Sequence, residues 1–166
     1  MAHGRAALGS VVFFLVAPGT MAGLVPGMIT GWRDAGPAWT VAVGGVLIVS
    51  GTAVVVAAFV QFVVEGRGTP APVAPTTELV VGGLYRWVRN PMYVGVAAAI
   101  AGQAIVFAST GVAVWLLLFV AAVTTFVLVY EEPTLRQTYG SSYEDYAAHV
   151  HRWVPRTRPW HPPAVR

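Results

Sequence analysis

Arg89-Asn90-Pro91-Met92-Tyr93 opens, and Glu131-Glu132 closes, a stretch of 41 residues, Asn90 to Tyr130, that carries no formal charge. A helix crosses a bilayer core with about 20 apolar residues, so a stretch of this length folds as two antiparallel crossings. Ser109-Thr110-Gly111, near its middle, has the composition of a tight turn. A hairpin returns the chain to the side it left. The arginine-bearing entrance and the acidic exit are therefore expected to meet on one face, and the functional site is expected there.

The rest of the chain has the same character. Of its 166 residues 56% are hydrophobic and 10% charged, and the mean hydropathy is +0.66. Ordinary soluble domains carry about 25% charged residues. The expected fold is all-α: an integral membrane bundle of about four transmembrane helices forming a single domain over residues 1–166. Apolar segments place the spans at 6–32, 38–64, 91–108 and 111–130, with a loop at 65–90 and an amphipathic tail at 131–166. Pro18 and Pro26 should kink or break the first span, leaving either one bent helix or two short segments. His3 and Arg5 ahead of it also fit a signal peptide, but the apolar run exceeds the usual length of such a segment. In the second span Gly44, Gly45, Ser50 and Gly51 suit close helix packing.

Four spans put both termini on one side, together with nine of the ten arginines; only Arg33 falls opposite. The positive-inside rule then makes the termini and the loop cytoplasmic. The same rule accounts for the basic balance without nucleic acid. The absence of lysine fits a GC-rich, bacterial genome, and hence a bacterial cytoplasmic membrane. There is no cysteine, which excludes disulfides, thiolate metal sites and a cysteine nucleophile. No metal centre is expected.

Local signals organise the cytoplasmic face. Asn90-Pro91 reads as a helix start, with Asn as N-cap and Pro in the first turn. Unpaired N–H groups there, with Arg86 and Arg89 just before, suit a carboxylate or phosphate. The fourth span ends in unpaired carbonyls and Glu131-Glu132, which suit a cation. Pro133 can open a new helix, and Ser141-Ser142-Tyr143-Glu144 reads as a capping box that restarts one after Gly140. Leu135, Tyr139, Tyr143, Tyr146, Val150 and Trp153 recur at helical spacing. Tyr85, Tyr93, Tyr139, Tyr143 and Tyr146 offer flat faces for a planar ring, or pack the amphipathic helices. A zwitterion with separated charges would fit between the two ends of the hairpin.

The stretch Leu79 to Gly95, LVVGGLYRWVRNPMYVG, resembles the signature of the isoprenylcysteine carboxyl methyltransferase and phospholipid methyltransferase superfamily, roughly LVxxGxYxxxRHPxYxG. Glu131-Glu132-Pro133-Thr134-Leu135, then Tyr139-Gly140, Tyr143, Tyr146 and Val154-Pro155, is similar to the family's EExxLxxxFGxxYxxY and trailing VP element. The resemblance implies a small helical membrane enzyme that moves a methyl group from S-adenosylmethionine, bound at the cytoplasmic face. It implies Leu79, Val80, Tyr85, Asn90, Pro91, Met92, Tyr93 and Glu131 at the cofactor, with Thr77 and Glu78 in the same loop matching less clearly. Arg89 is the candidate catalytic residue that holds the carboxylate, and Glu132 a candidate for acid–base work. Asn90 stands where histidine is commonest, so a contact needing an imidazole is lost. The acceptor, reached from the bilayer, is left open among carboxylates, thiols and amines, and the oligomeric state is left open too. A four-span transporter is the alternative of another class, but the spans hold no ionisable residue between their ends. A non-catalytic protein of the same fold is a further alternative.

Overall fold

The computed structural model describes residues 16–66 and 79–161, and within them the chain is helical without strands. Five helices follow in order: α1 (Val16–Thr30), α2 (Ala38–Gly66), α3 (Pro91–Val106), α4 (Thr110–Tyr139) and α5 (Ser141–His149). A short 3-10 turn at Gly83–Arg86 precedes α3. The beginning of the expected first span, most of the proline-rich loop, and Thr77 and Glu78 lie outside the described residues.

Two segments, Ala38–Gln61 of α2 and all of α4, are long and apolar enough to cross a membrane. Only 22% and 17% of their most apolar windows are buried within the protein, so most of their hydrophobic surface faces outward. α1 and α3 are apolar but shorter. α3 is the central element: Gly95, Val96, Ala99, Ile100, Gly102, Gln103 and Val106 are all buried. Val96 and Ile100 join Val55 of α2 and Val112 and Phe119 of α4 in the core, with Met21 and Ala22 of α1 packed on it.

α2 and α3 are antiparallel and meet backbone to backbone. A β-carbon at Gly51 would lie 2.5 Å from Gly95 O, and one at Gly102 would lie 2.5 Å from Gly44 O. The paired glycines are seven residues apart on each helix, a spacing that keeps a contact seam on one face. The expectation for the second span is thus half right. Gly44 and Gly51 form the contact, whereas Gly45 meets nothing within 4 Å and Ser50 is exposed.

Prolines shape α1 and α4 in one way. A π turn, Thr20–Leu24, precedes Pro26 in α1, and another, Val127–Glu131, precedes Pro133 in α4. Proline lacks an N–H and crowds the carbonyl four residues back; widening the helix by one residue accommodates it without a break. In α1, Val25 N–H donates to Thr20 O, which deprives the Met21 carbonyl of its usual donor. Pro26 likewise has no N–H for Ala22 O. The two carbonyls are satisfied from other helices: Trp115 Nε1 donates to Met21 O at 2.9 Å and Gln103 Nε2 to Ala22 O at 2.6 Å. Gln103, the most polar side chain within the apolar part of α3, is therefore a packing lock. Of the two alternatives left open for the first span, the described part is one continuous helix through Pro18 and Pro26, and α4 likewise runs through Pro133 to Tyr139 instead of starting anew there.

Other boundaries shift for local reasons. The α3–α4 turn falls at Phe107-Ala108, and Ser109 caps α4 by accepting from Val112 N–H at 3.3 Å. Gly140 (φ +52°) separates α4 from α5, a conformation that side chains other than glycine's resist. α5 begins at Ser141 as expected, but no side chain caps it, so the capping box is not formed. It stops at His149, and the helical spacing does not continue to Trp153.

Candidate functional site

The ends of the α3–α4 hairpin do meet. The π turn ahead of Pro133 carries two neighbouring acids to different partners. Glu131 Oε2 accepts from Tyr93 Oη at 3.0 Å, linking the end of the long apolar part of α4 to the first turn of α3. Glu132, 4% exposed, lies among guanidinium groups. Arg152 grips it with two hydrogen bonds, Nε to Oε1 at 2.6 Å and Nη2 to Oε2 at 2.9 Å. Arg89 Nη1 approaches Oε1 at 3.3 Å, and Arg136 Nη2 approaches Oε2 at 3.8 Å from the surface. Arg89 also donates to Tyr143 Oη at 3.1 Å. Its side chain is 11% exposed, and its Nε, like that of Arg86, is buried without a hydrogen-bond partner among the described residues.

The tail beyond α5 holds the entrance loop in place. Arg89 N–H donates to His151 O at 2.9 Å, Arg156 N–H to Trp87 O at 2.8 Å and Trp160 N–H to Arg86 O at 2.9 Å. Tyr146 Oη donates to Tyr85 O at 2.7 Å. Asn90 occupies the cap position of α3, but its side chain does not cap the helix. Its Nδ2 instead donates to Arg152 O at 3.2 Å, tying the start of α3 to the tail. The first-turn N–H groups of α3 are thus left without that cap. The Trp153 ring lies 6.4 Å from that of Tyr93.

The residues singled out from the sequence divide by surroundings. Arg89, Asn90 and Glu132 belong to one polar cluster that Arg152 completes, and Tyr93 and Glu131 form a separate hydrogen-bonded pair. Val80 and Tyr85 are buried with Ala58, and Met92 packs on them. Pro91 is fully buried at the start of α3. Leu79 instead packs on a second apolar cluster built by Tyr143, Tyr146 and Val150. Tyr143 and Tyr146 are thus packing residues of the tail, not open stacking faces. Burial first, and then the charge of Glu131, hold the Tyr85 phenol far above its ordinary range, so it stays protonated. Burial does the same for Tyr146. The hydrogen bond to Glu132 raises Arg152 further above its already high range.

Sequence reasoning gave Arg152 no role: His151-Arg152-Trp153 stands where the resembling family often has a proline, which left the path of the tail open, and the helical spacing that included Trp153 ends at His149.

Fold and site together define a helical protein with membrane-length apolar helices and an arginine–glutamate–tyrosine cluster where a hairpin closes. A family model for phospholipid methyltransferases matches residues 39–142, and the chain belongs to that family. It is thereby a member of the superfamily of membrane methyltransferases that also includes the isoprenylcysteine carboxyl methyltransferases. A search of curated proteins and one of solved structures found no match.

Proposed function

We propose that the protein transfers the methyl group of S-adenosylmethionine to a lipophilic or small acceptor that reaches the site from the bilayer. The observations that carry this reading are the Tyr93–Glu131 pair at the first turn of α3 and, four residues before Tyr93 in the chain, a buried Arg89 whose Nε has no partner among the described residues. An anion acceptor for that Nε and a cation or hydroxyl for the second oxygen of Glu131 describe the two functional ends of an amino-acid zwitterion. When bound, the cofactor supplies a methyl group activated by a positively charged sulfur.

The chain's own residues bind and orient. Arg89 and the uncapped N–H groups at the start of α3 hold the carboxylate. Glu131, fixed by Tyr93, holds the ammonium or a ribose hydroxyl. Leu79, Val80, Tyr85, Asn90, Pro91 and Met92 form the surrounding loop and first turn. Glu132, committed to guanidinium groups, keeps Arg89 in place instead of moving protons. Alignment and electrostatics supply the rate, and an acceptor that is already a carboxylate, thiolate or free amine needs no base.

All four apolar segments cross the membrane in this reading, with termini and site on the cytoplasmic side. With 16 residues, α3 is about 24 Å long against a core of about 30 Å. Its Asn90 end is therefore recessed, at a depth a lipophilic acceptor can reach. Isothermal calorimetry in detergent tests the site. Glu131→Gln should bind S-adenosylmethionine about tenfold more weakly, the scale of one hydrogen bond to a charged group. Unchanged affinity in a folded variant refutes the assignment.

A further inference from the structure

Glu132 has two carboxylate oxygens, and the better geometry on both belongs to Arg152, which comes from the tail beyond the residues matched to the family. Arg89 is the more buried of the two arginines, at 11% against 31% exposed. Toward Glu132 it nevertheless has a single 3.3 Å approach through Nη1, the nitrogen that also donates to Tyr143 Oη at 3.1 Å. A guanidinium facing a carboxylate favours the paired, forked arrangement. Arg152 occupies that arrangement through Nε and Nη2, and Arg89 Nε stays buried without a partner among the described residues. The tail is fixed for this task by Asn90 Nδ2 on Arg152 O and by Arg89 N–H on His151 O.

We propose that Arg152 is a positioning residue: by taking the forked seat on Glu132 it keeps Arg89 from collapsing onto that carboxylate and holds it ready for the carboxylate of the methyl donor. The inference rests on the reading of the site given above. Without Arg152, Glu132 draws Arg89 into the vacated fork. The buried acid remains neutralised and the fold is kept, but the donor's carboxylate loses its cation.

Two ligands separate positioning from general support of the fold. S-Adenosylhomocysteine carries the amino-acid carboxylate, whereas 5′-methylthioadenosine has the same adenine, ribose and thioether without the amino-acid part. Both are titrated calorimetrically into the full-length protein in detergent, with size-exclusion profiles reporting the fold. Arg152→Gln should lose about 10-fold in affinity for S-adenosylhomocysteine, the scale of one hydrogen bond to a charged group, with methylthioadenosine binding unchanged. Arg152→Lys, a point charge that cannot fill the fork, should show the same selective loss to a smaller degree, and it decides the matter if the glutamine variant does not fold. Equal weakening of both ligands would mean a merely structural role and overturns the inference. So does full retention of S-adenosylhomocysteine binding. A wild-type protein that binds neither nucleoside overturns the reading of the site and this inference with it.

Discussion

Gly44 and Gly45 are adjacent in α2 and should respond to the same substitution with opposite signs. A β-carbon at Gly44 would run into Gly102 O and come within 2.6 Å of Val106 Cγ2, whereas one at Gly45 meets nothing within 4 Å. Replacing glycine by alanine inside a helix gains about 1 kcal/mol from backbone restriction, and this gain is common to both sites. Overpacking against backbone, which cannot swing aside as a side chain can, costs about 1–3 kcal/mol. Gly45→Ala should therefore be stabilised by up to about 1 kcal/mol, and Gly44→Ala destabilised by up to about 2 kcal/mol after the common gain is subtracted. The difference between the variants isolates the helix–helix contact. For a chain of this size each kcal/mol moves the melting temperature by about 2–4 °C, so thermal unfolding in detergent resolves it. A Gly44→Ala protein that melts as high as Gly45→Ala would refute the backbone contact between α2 and α3.

Other expectations follow from the same geometry. Gln103→Leu leaves Ala22 O without its donor and should cost about 1–3 kcal/mol in thermal unfolding, while S-adenosylmethionine affinity stays that of the wild type, because the lock lies deep in the bundle. Glu132→Ala strands Arg89 and Arg152 and should destabilise by about 3 kcal/mol, the low end of the range for a broken buried ion pair, since Arg136 and Arg152 keep access to solvent; denaturant titration measures it. A reporter enzyme that works only outside the cytoplasm, fused after Arg166, should be inactive, and activity would overturn the proposed orientation.

The parts of the fold legible in the sequence are those that depend on local composition. Charge-free runs located two helices closely: α2 was expected at 38–64 and is Ala38–Gly66, and α3 was expected from Pro91 and begins there, whereas α4 runs past the expected end at 130 to Tyr139. The meeting of the start of α3 with the acidic pair was legible too, since a hairpin brings its ends together: Arg89 reaches Glu132 and Tyr93 reaches Glu131. The prolines of the first span were visible, but whether they leave one helix or two was not. A proline breaks an isolated helix, and what rescues the helix around Pro26 is a pair of donors, Gln103 and Trp115, from α3 and α4. No local pattern announces them.

At the site, chain chemistry and tertiary structure divide the decision. The sequence by itself determined that Arg89, Tyr93, Glu131 and Glu132 stand at the ends of one apolar hairpin, because helix length and the exclusion of charge from apolar surroundings leave little choice. Which acid does which task was decided only in three dimensions. Glu131 and Glu132 are chemically identical neighbours. Successive residues on a helix point about 100° apart, so one reaches Tyr93 and the other the arginines, and the tail delivers Arg152 from 20 residues away to fix the second. Long-range hydrogen bonds, with no trace in local spacing, made that distinction.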